Sequence, residues 1–96
     1  MTARYTLVTT RRFERQALQL PSAVFTQLRR RLCTIVGDPR HPSLKTHEVK
    51  HAVGDFGGKV FEGCVNEKYR FTWEYGSSSE IVLRNVDNHD ACLKRP

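Results

Sequence analysis

Hydrophobic and polar positions change their spacing twice along this chain of 96 residues. A short alternating stretch at 5–9 predicts a first strand, because the side chains of a strand point alternately to its two faces. Apolar residues then recur every three or four positions in 13–20 and again in 25–35, which predicts two amphipathic helices. The last third returns to strand-like runs at 60–65, 69–75 and 81–86. The predicted order is therefore β-α-α-β-β-β.

Local signals divide the helical part into a hairpin. Thr10 can cap the first N–H groups of the helix that follows it. Pro21 disfavours helical backbone at the residue before it and suits the first turn of a new helix. Gly37, followed by Asp38 and Pro39, predicts the end of the second helix. Two helices joined so closely are expected to pack as an antiparallel hairpin.

The middle run of the last third has the clearest strand pattern. Its odd positions from 69 to 75 are aromatic, and its even positions from 70 to 74 are polar. The aromatic side needs a cover, and the two amphipathic helices are the only one available. We therefore expect an α+β fold, a two-layer sandwich with the helical hairpin packed on one face of a mainly antiparallel sheet. The opposite face is expected to remain for solvent or a ligand.

Two stretches lack a clear periodicity. Residues 38–59 contain two prolines, three glycines and three of the four histidines, and we expect a long connection with at most one short ordered piece. Connections of this length in small domains are often functional. Residues 87–96 are expected to form a polar tail.

Length and composition exclude several classes of protein. A chain of 96 residues suits one domain, 1–96, and the apolar fraction of 39% is that of a folded protein. No apolar run is long enough to span a membrane, and no export signal is visible. The three cysteines are odd in number and widely spaced, which argues against a disulfide scaffold. We expect a cytoplasmic protein without a cofactor.

The charge is distributed unevenly. Residues 1–53 hold ten of the sixteen basic residues but only three of the ten acidic ones, so the excess of +6 lies in that part. Such a field favours a polyanionic partner, such as nucleic acid or an acidic protein segment. A well-solvated helical face explains it equally well.

One short motif predicts a different chemistry. Residues 47–51 match H-E-x-x-H, in which two histidines on one face of a helix bind zinc and the glutamate acts on a bound water. Prolines before the motif and glycines after it disfavour a helix, and Lys50 is unusual within it. A zinc metalloprotease is therefore a remote alternative.

A second set of residues suits RNA cleavage without a metal. Such a reaction needs a base for the ribose 2′-hydroxyl, a cation for the phosphorane and an acid for the departing 5′ oxygen, roles that histidine and arginine fill. Each residue also has a plain structural explanation: Arg70 can pair with Glu62 or Glu74, and the histidines can be exposed loop or tail residues. The candidates are Lys45, His47, Lys50, His51, Arg70, Arg84 and His89.

Four stretches resemble a known family. They are DPRHPSL at 38–44, THEVK at 46–50, YRFTW at 69–73 and IVLRNVDNHD at 81–90. With the order β-α-α-β-β-β, they resemble the RelE/ParE superfamily of bacterial toxin–antitoxin toxins, and in particular its RelE-like mRNA interferase branch. The resemblance extends over nearly the whole chain.

The resemblance implies a toxin that cuts mRNA by attack of a 2′-hydroxyl on the adjacent phosphodiester, usually in the ribosomal A site. By position, Arg70 matches the strand arginine that contacts phosphate, His89 the tail histidine, and His47 a variable loop position. Lys45 and Lys50 match loop positions that are often basic, and with Arg84 they are expected to bind RNA phosphates. His47, Arg70 and His89 are thus the expected catalytic residues, with no metal.

The implied partners are a cognate antitoxin, the ribosome and mRNA, with no membrane. We expect a monomeric free toxin and a toxin–antitoxin complex of higher order. Many active members have Tyr or Phe a few residues beyond the tail histidine, whereas residues 90–96 here contain no aromatic residue. A non-enzymatic binding protein of the same fold, either a degenerate toxin or a gyrase inhibitor, therefore stays open as the alternative.

Overall fold

The computed structural model describes residues 4–55, 57–77, 79–94 and 96. Its sheet strands and helices follow the predicted order, with one further strand and one further helix. None of the described helices is long and apolar enough to cross a membrane. The elements are β1 (Thr6–Thr9), α1 (Arg11–Leu18), α2 (Ser22–Ile35), a 3-10 turn (Pro42–Leu44), β2 (His47–Val53), β3 (Lys59–Cys64), β4 (Tyr69–Tyr75), β5 (Glu80–Asn88) and α3 (His89–Lys94).

The five strands form one sheet in the order β1-β5-β4-β3-β2. The strands β2 to β5 pair in succession as an antiparallel meander, and β1 pairs with β5 in parallel. The chain therefore leaves β1 through the helical hairpin and returns at the far edge of the sheet. The expected mainly antiparallel α+β sheet is confirmed.

The helical hairpin covers the aromatic face of the sheet, as predicted. The Thr10 side chain accepts a hydrogen bond from the Phe13 N–H at 3.1 Å, which caps the start of α1. Phe13 and Leu28, from the two helices, belong to the same buried cluster as Phe71 and Trp73 of β4. This cluster is the main apolar core, so the odd positions of β4 point into it.

The prediction of a long connection at 38–59 is wrong for the second half of that range. Residues His47–Val53 form the edge strand β2, in which His47 lies opposite Glu62 and Glu48 opposite Phe61. Val49 is buried, while Lys50 and His51 are exposed. The strand is stabilised by pairing with β3, a non-local contact that local propensity does not report.

The prediction that the second face of the sheet is open to solvent or a ligand is also wrong. The expected polar tail instead continues β5 to Asn88 and then forms α3, which packs on β4 and β5. Cys92 of α3 is fully buried, and so are Glu62, Thr72 and Glu74 on the sheet beneath. The helix α3 thus covers the polar face, and the centre of that face is closed to solvent.

A close approach between β3 and β4 gives a test of the core. A Cβ added to Gly63 would lie 2.7 Å from the Phe71 ring, which is fully buried. We expect Gly63→Ala to lower the free energy of unfolding by about 1–3 kcal/mol, the usual cost of overpacking. The measurement is urea unfolding, with Gly58→Ala as the control because no atom lies within 4 Å of its added Cβ. Equal stability of the two variants would contradict this packing.

Candidate functional site

A row of polar residues crosses the sheet on the side of α3. The strand register sets His47 opposite Glu62, Glu62 opposite Thr72, and Thr72 opposite Asn85. Residues directly opposite in neighbouring strands point to the same face. Only His47, on the edge strand, reaches solvent, with 57% of its side chain exposed. The row therefore runs from an accessible imidazole into the covered part of the face.

His47 and Glu62 form the pair at the accessible end of this row. His47 Nε2 lies 3.2 Å from Glu62 Oε1, and His47 Nδ1 lies 3.3 Å from the Lys45 carbonyl oxygen. The Glu62 carboxyl is fully buried, and an unpaired buried carboxylate is costly. The contact with His47 is therefore the ion pair that the structure gives to this buried carboxyl. Sequence reasoning did not assign this role to Glu62, because the pairing of β2 with β3 was not predicted.

Arg70 lies at the end of β4 near the turn to β3. Its Nη1 donates hydrogen bonds to the Tyr69 carbonyl, at 3.0 Å, and to the Asn66 carbonyl. The side chain is half-buried. Neither Glu62 nor Glu74 binds it among the described contacts, so the expected alternative of a sheet ion pair is not what holds Arg70. Turn carbonyls hold the guanidinium instead.

His89 lies at the same end of the sheet as Arg70. Arg70 is opposite Asp87 in the register of β4 and β5, and His89 follows Asp87 by two residues. The His89 N–H donates to the Lys68 carbonyl at 2.8 Å, which fixes the start of α3 beside the turn. The imidazole is half-exposed, with Nδ1 3.7 Å from Asp90 Oδ1. The backbones that carry Arg70 and His89 are therefore neighbours.

Arg84 lies apart from these two residues. It is the extra residue of a β-bulge, since Leu83 is opposite Trp73 and Asn85 is opposite Thr72. Arg84 Nη1 binds Glu74 Oε1 at 2.8 Å and Asp55 Oδ2 at 3.5 Å.

The bulge brings Arg84 beside the C-terminal half of β4, away from Arg70. Glu74, its partner, is four residues from Arg70 along β4, a separation of about 13 Å in a strand. The expected RNA-binding residue Arg84 is thus at the opposite end of the polar face from Arg70 and His89.

The two expected RNA-binding lysines are exposed. Lys45 ends the 3-10 turn in the left-handed conformation, with φ of 49°. Lys50 lies three residues beyond His47 on the edge strand β2. Both ammonium groups can therefore meet a phosphate from solvent, although Lys50 is about 10 Å from His47 along the strand.

The H-E-x-x-H match at 47–51 lies in the strand β2 and not in a helix. His47 and His51 are four residues apart in β2, a separation of about 13 Å along an extended strand. A shared zinc ion needs both imidazole nitrogens at about 2 Å. The motif therefore lacks the helical arrangement that a zinc metalloprotease requires.

The C-terminal segment binds the polar face through backbone and thiol groups. Thr72 Oγ1 donates to the main-chain oxygen of Pro96 at 2.6 Å, and Arg84 Nε donates to the same oxygen at 3.1 Å. The Cys92 thiol lies 3.5 Å from the Arg70 carbonyl. Burial, and next the negative charge of Glu62, raise the pKa of this thiol to about 12.

Comparison with known proteins finds a likeness in three-dimensional structure. No protein-family model matches the sequence, and no curated protein matches it. A chain of the archaeal RelE–RelB complex from Pyrococcus horikoshii OT3 superposes with a TM-score of 0.71 at 10% identity, over 88% of this chain and 94% of that chain. YafQ from E. coli gives 0.67 at 8% identity, over 91% and 96% of the two chains. The YoeB/ParE toxin from Agrobacterium tumefaciens gives 0.65 at 14%, over 88% and 98%.

The chain has the fold of the RelE and ParE toxins. The resemblance indicated by the sequence stretches is therefore confirmed for the fold, despite the low identity. The expected catalytic residues lie in or next to the sheet of this RelE-like fold. Arg70 and His89 share one end of it, and His47 lies at its β2 edge.

The seating of α3 on the RelE-like sheet can be tested with thiol reagents. At pH 8 a thiol with a pKa of about 12 is ionised in only ~1 molecule in 10,000, and the thiolate is the reactive form. We expect a maleimide to modify exposed Cys33 quickly, and buried Cys64 and Cys92 at least ~10-fold more slowly. Mass spectrometry after digestion measures each site, and all three should react at similar rates in guanidinium chloride. Native Cys92 that reacted as fast as Cys33 would contradict the docked helix.

Proposed function

We propose that this chain is the toxin of a toxin–antitoxin system and acts as a metal-independent, ribosome-dependent mRNA endoribonuclease. The observation that carries the proposal is the strand register that brings the backbones of Arg70 and His89 together in a RelE-like fold. The compared structures include toxins and a RelE–RelB complex. Arginine and histidine are the side chains that phosphodiester cleavage needs without a metal.

The proposed reaction uses three side chains. One histidine of the pair His47 and His89 removes the proton of the ribose 2′-hydroxyl, whose oxygen then attacks the adjacent phosphorus. Arg70 neutralises the charge that grows on the phosphorane oxygens. The other histidine donates a proton to the 5′ oxygen as its bond to phosphorus breaks. The products are a 2′,3′-cyclic phosphate and a 5′-hydroxyl.

Three cations are proposed to hold the RNA backbone. Lys45 is exposed two residues before His47, so it suits a phosphate next to the cleaved bond, and exposed Lys50 suits one farther along β2. Arg84 suits a phosphate farther along the strand, because it lies at the other end of the polar face. Several phosphate contacts predict that RNA binding weakens steeply as the salt concentration rises.

We propose that the antitoxin docks in the groove between α1 and α2. The groove encloses about 360 Å³ and is lined by apolar side chains such as Phe13, Phe25 and Leu32. Leu18 at its rim is 81% exposed, and Arg29 adds a positive charge. The lining also includes Glu14, so its two charged residues balance. The apolar groove fits the apolar face of an amphipathic helix.

One observation favours the non-enzymatic alternative. Pro96 and α3 cover the centre of the polar face, and Arg84 is already paired with Glu74. A protein with this fold that only binds partners would need no access to that face. The two candidates differ in whether the protein leaves cut mRNA behind.

Induced expression followed by mapping of mRNA 5′ ends tests the nuclease proposal. We expect codon-phased cuts with the wild type, and a loss of cutting of about 100-fold or more in Arg70→Ala and in His89→Ala, because each removes one step of the reaction. Arg30→Ala is the matched control, since Arg30 is an exposed arginine of α2. All variants are compared at equal soluble amounts and with measured thermal unfolding.

Two results would count against the nuclease. Growth arrest without cut mRNA would favour the non-enzymatic binding protein. Cutting by folded Arg70→Ala at the rate of Arg30→Ala would remove Arg70 from the reaction.

A charge at the rim of the groove tests the antitoxin site. Leu18→Asp should weaken binding of the product of the adjacent short reading frame by about tenfold or more, because burying a leucine contributes roughly 1.5–3 kcal/mol. Folding should be unchanged, since Leu18 is exposed. Isothermal titration calorimetry gives the affinity, and Gln19→Asp introduces the same charge at an exposed residue that does not line the groove. An equal affinity of the two variants would remove the groove from the complex.

A further inference from the structure

A cluster of aromatic rings lies on the helical side of the sheet, at the end away from Arg70. Tyr75 ends β4, five residues beyond Arg70 and about 17 Å from it along the strand. The centre of its ring lies 5.8 Å from that of Phe61, 5.0 Å from that of Trp73 and 5.9 Å from that of Tyr5. Phe61 and Trp73 are buried, whereas Tyr75 is 39% exposed. The aromatic cluster therefore presents the Tyr75 ring to solvent.

A cavity of about 350 Å³ opens beside the aromatic cluster. Among the described residues, Gly58, Lys59, Phe61 and Tyr75 line it. A Cβ added to Gly58 would meet no atom within 4 Å, so there is free space in front of this wall. The volume lies within the range of small-ligand sites. The cavity thus has room for a planar ring next to Tyr75.

Two cations border the aromatic surface. The Arg40 guanidinium lies 5.4 Å from the centre of the Phe61 ring, within the distance of a cation–π contact. The Lys59 side chain is 70% exposed, and its ammonium lies 4.0 Å from a carboxylate oxygen of Glu48. An exposed pair at that distance contributes little to stability, so Lys59 can turn to another anion. Aromatic rings with cations beside them are typical of sites that bind single-stranded nucleic acid.

The acidic groups near the cavity do not line it. Among the described lining residues there is no carboxylate. Asp38 Oδ1 binds the Arg40 main-chain N–H at 3.1 Å, and Glu48 lies against Lys59. Burial, and next the neighbouring Tyr5, raise the pKa of Tyr75, so its hydroxyl stays protonated at neutral pH. The rings therefore supply the main attraction, and the cations favour a ring that carries a phosphate.

We propose that this cavity binds one nucleotide of a single-stranded nucleic acid, with the base stacked on Tyr75 and the phosphate held by Lys59 and Arg40. Little sequence preference is expected, because every base has a π face. The distance from Arg70 along β4 sets this nucleotide outside the bond that the proposed reaction cuts. The site does not depend on that reaction, since it needs only a base and a phosphate.

The single tryptophan of the chain reports on the cavity. Trp73 stacks on Phe61 at 4.8 Å and meets the Tyr75 ring edge-on, so its fluorescence should change when a base binds. The probe for the full chain is a hexanucleotide of 2′-deoxyadenosine, which lacks the attacking hydroxyl and cannot be cut by that route. The matched probe is the same strand with abasic residues. It keeps the phosphates but loses stacking, so it should bind about tenfold more weakly or worse.

Variants separate stacking from charge. Tyr75→Leu should weaken binding of the adenine strand by about tenfold, whereas Tyr75→Phe keeps the ring and should retain the affinity of the wild type. Arg40→Ala should weaken binding more than Arg30→Ala, which removes the same charge from an exposed part of α2. Thermal unfolding of each variant shows whether it is folded.

Three results would overturn the proposal. They are a fluorescence that neither strand changes, equal affinity for the adenine and abasic strands, and equal affinity of folded Tyr75→Leu and Tyr75→Phe. A change in Trp73 fluorescence with the product of the adjacent reading frame, but with neither strand, would make the cavity a protein contact instead. Because the readout is binding, a protein that does not cut mRNA can pass this test, and one that cuts mRNA can fail it.

Discussion

The burial of both faces of β4 is the constraint on which the rest of the structure depends. Its aromatic face packs against the helical hairpin, and its polar face lies beneath α3 and Pro96. The second burial encloses two carboxyl groups, Glu62 of β3 and Glu74 of β4. Buried charges are costly unless they are paired, so each of them needs a partner at the margin of the covered area.

These two pairings lie at the margin of the polar face. Glu62 meets His47 at the β2 edge, and Glu74 meets Arg84 at the β5 bulge. The carboxyl groups lie against an imidazole and a guanidinium that remain partly accessible. The accessible chemistry is therefore at the edges of the polar face, with Arg70 and His89 at one end and Arg84 at the other.

The parts of the fold that local patterns determine could be predicted from the sequence. Thr10, Pro21 and the alternation at 69–75 indicated the helical hairpin and the central strand, because capping and side-chain direction depend on neighbouring residues. The edge strand β2 and the helix α3 could not be predicted in this way. Residues 47–53 become a strand by pairing with β3, and Cys92 is buried only because α3 meets the sheet.

The candidate site also divides into contacts that local patterns could predict and contacts that depend on strand pairing. That Arg70 and His89 lie near each other follows from the antiparallel order of β4 and β5, which the alternating runs predicted. The contact of His47 with Glu62 depends on the unpredicted strand β2. The ion pair of Arg84 depends on a bulge, and no local sequence signal marked the extra residue. Long-range pairing, rather than residue type, decided which candidates came together.

The chemical nature of the cut RNA end tests the central claim most directly. Ribosome-bound mRNA is incubated with the purified protein, and the fragments are analysed by mass spectrometry. Attack by the 2′-hydroxyl predicts a 2′,3′-cyclic phosphate, or the 3′-phosphate formed from it, on the upstream fragment. An upstream fragment that ends in a 3′-hydroxyl, or mRNA that stays intact, would contradict the account.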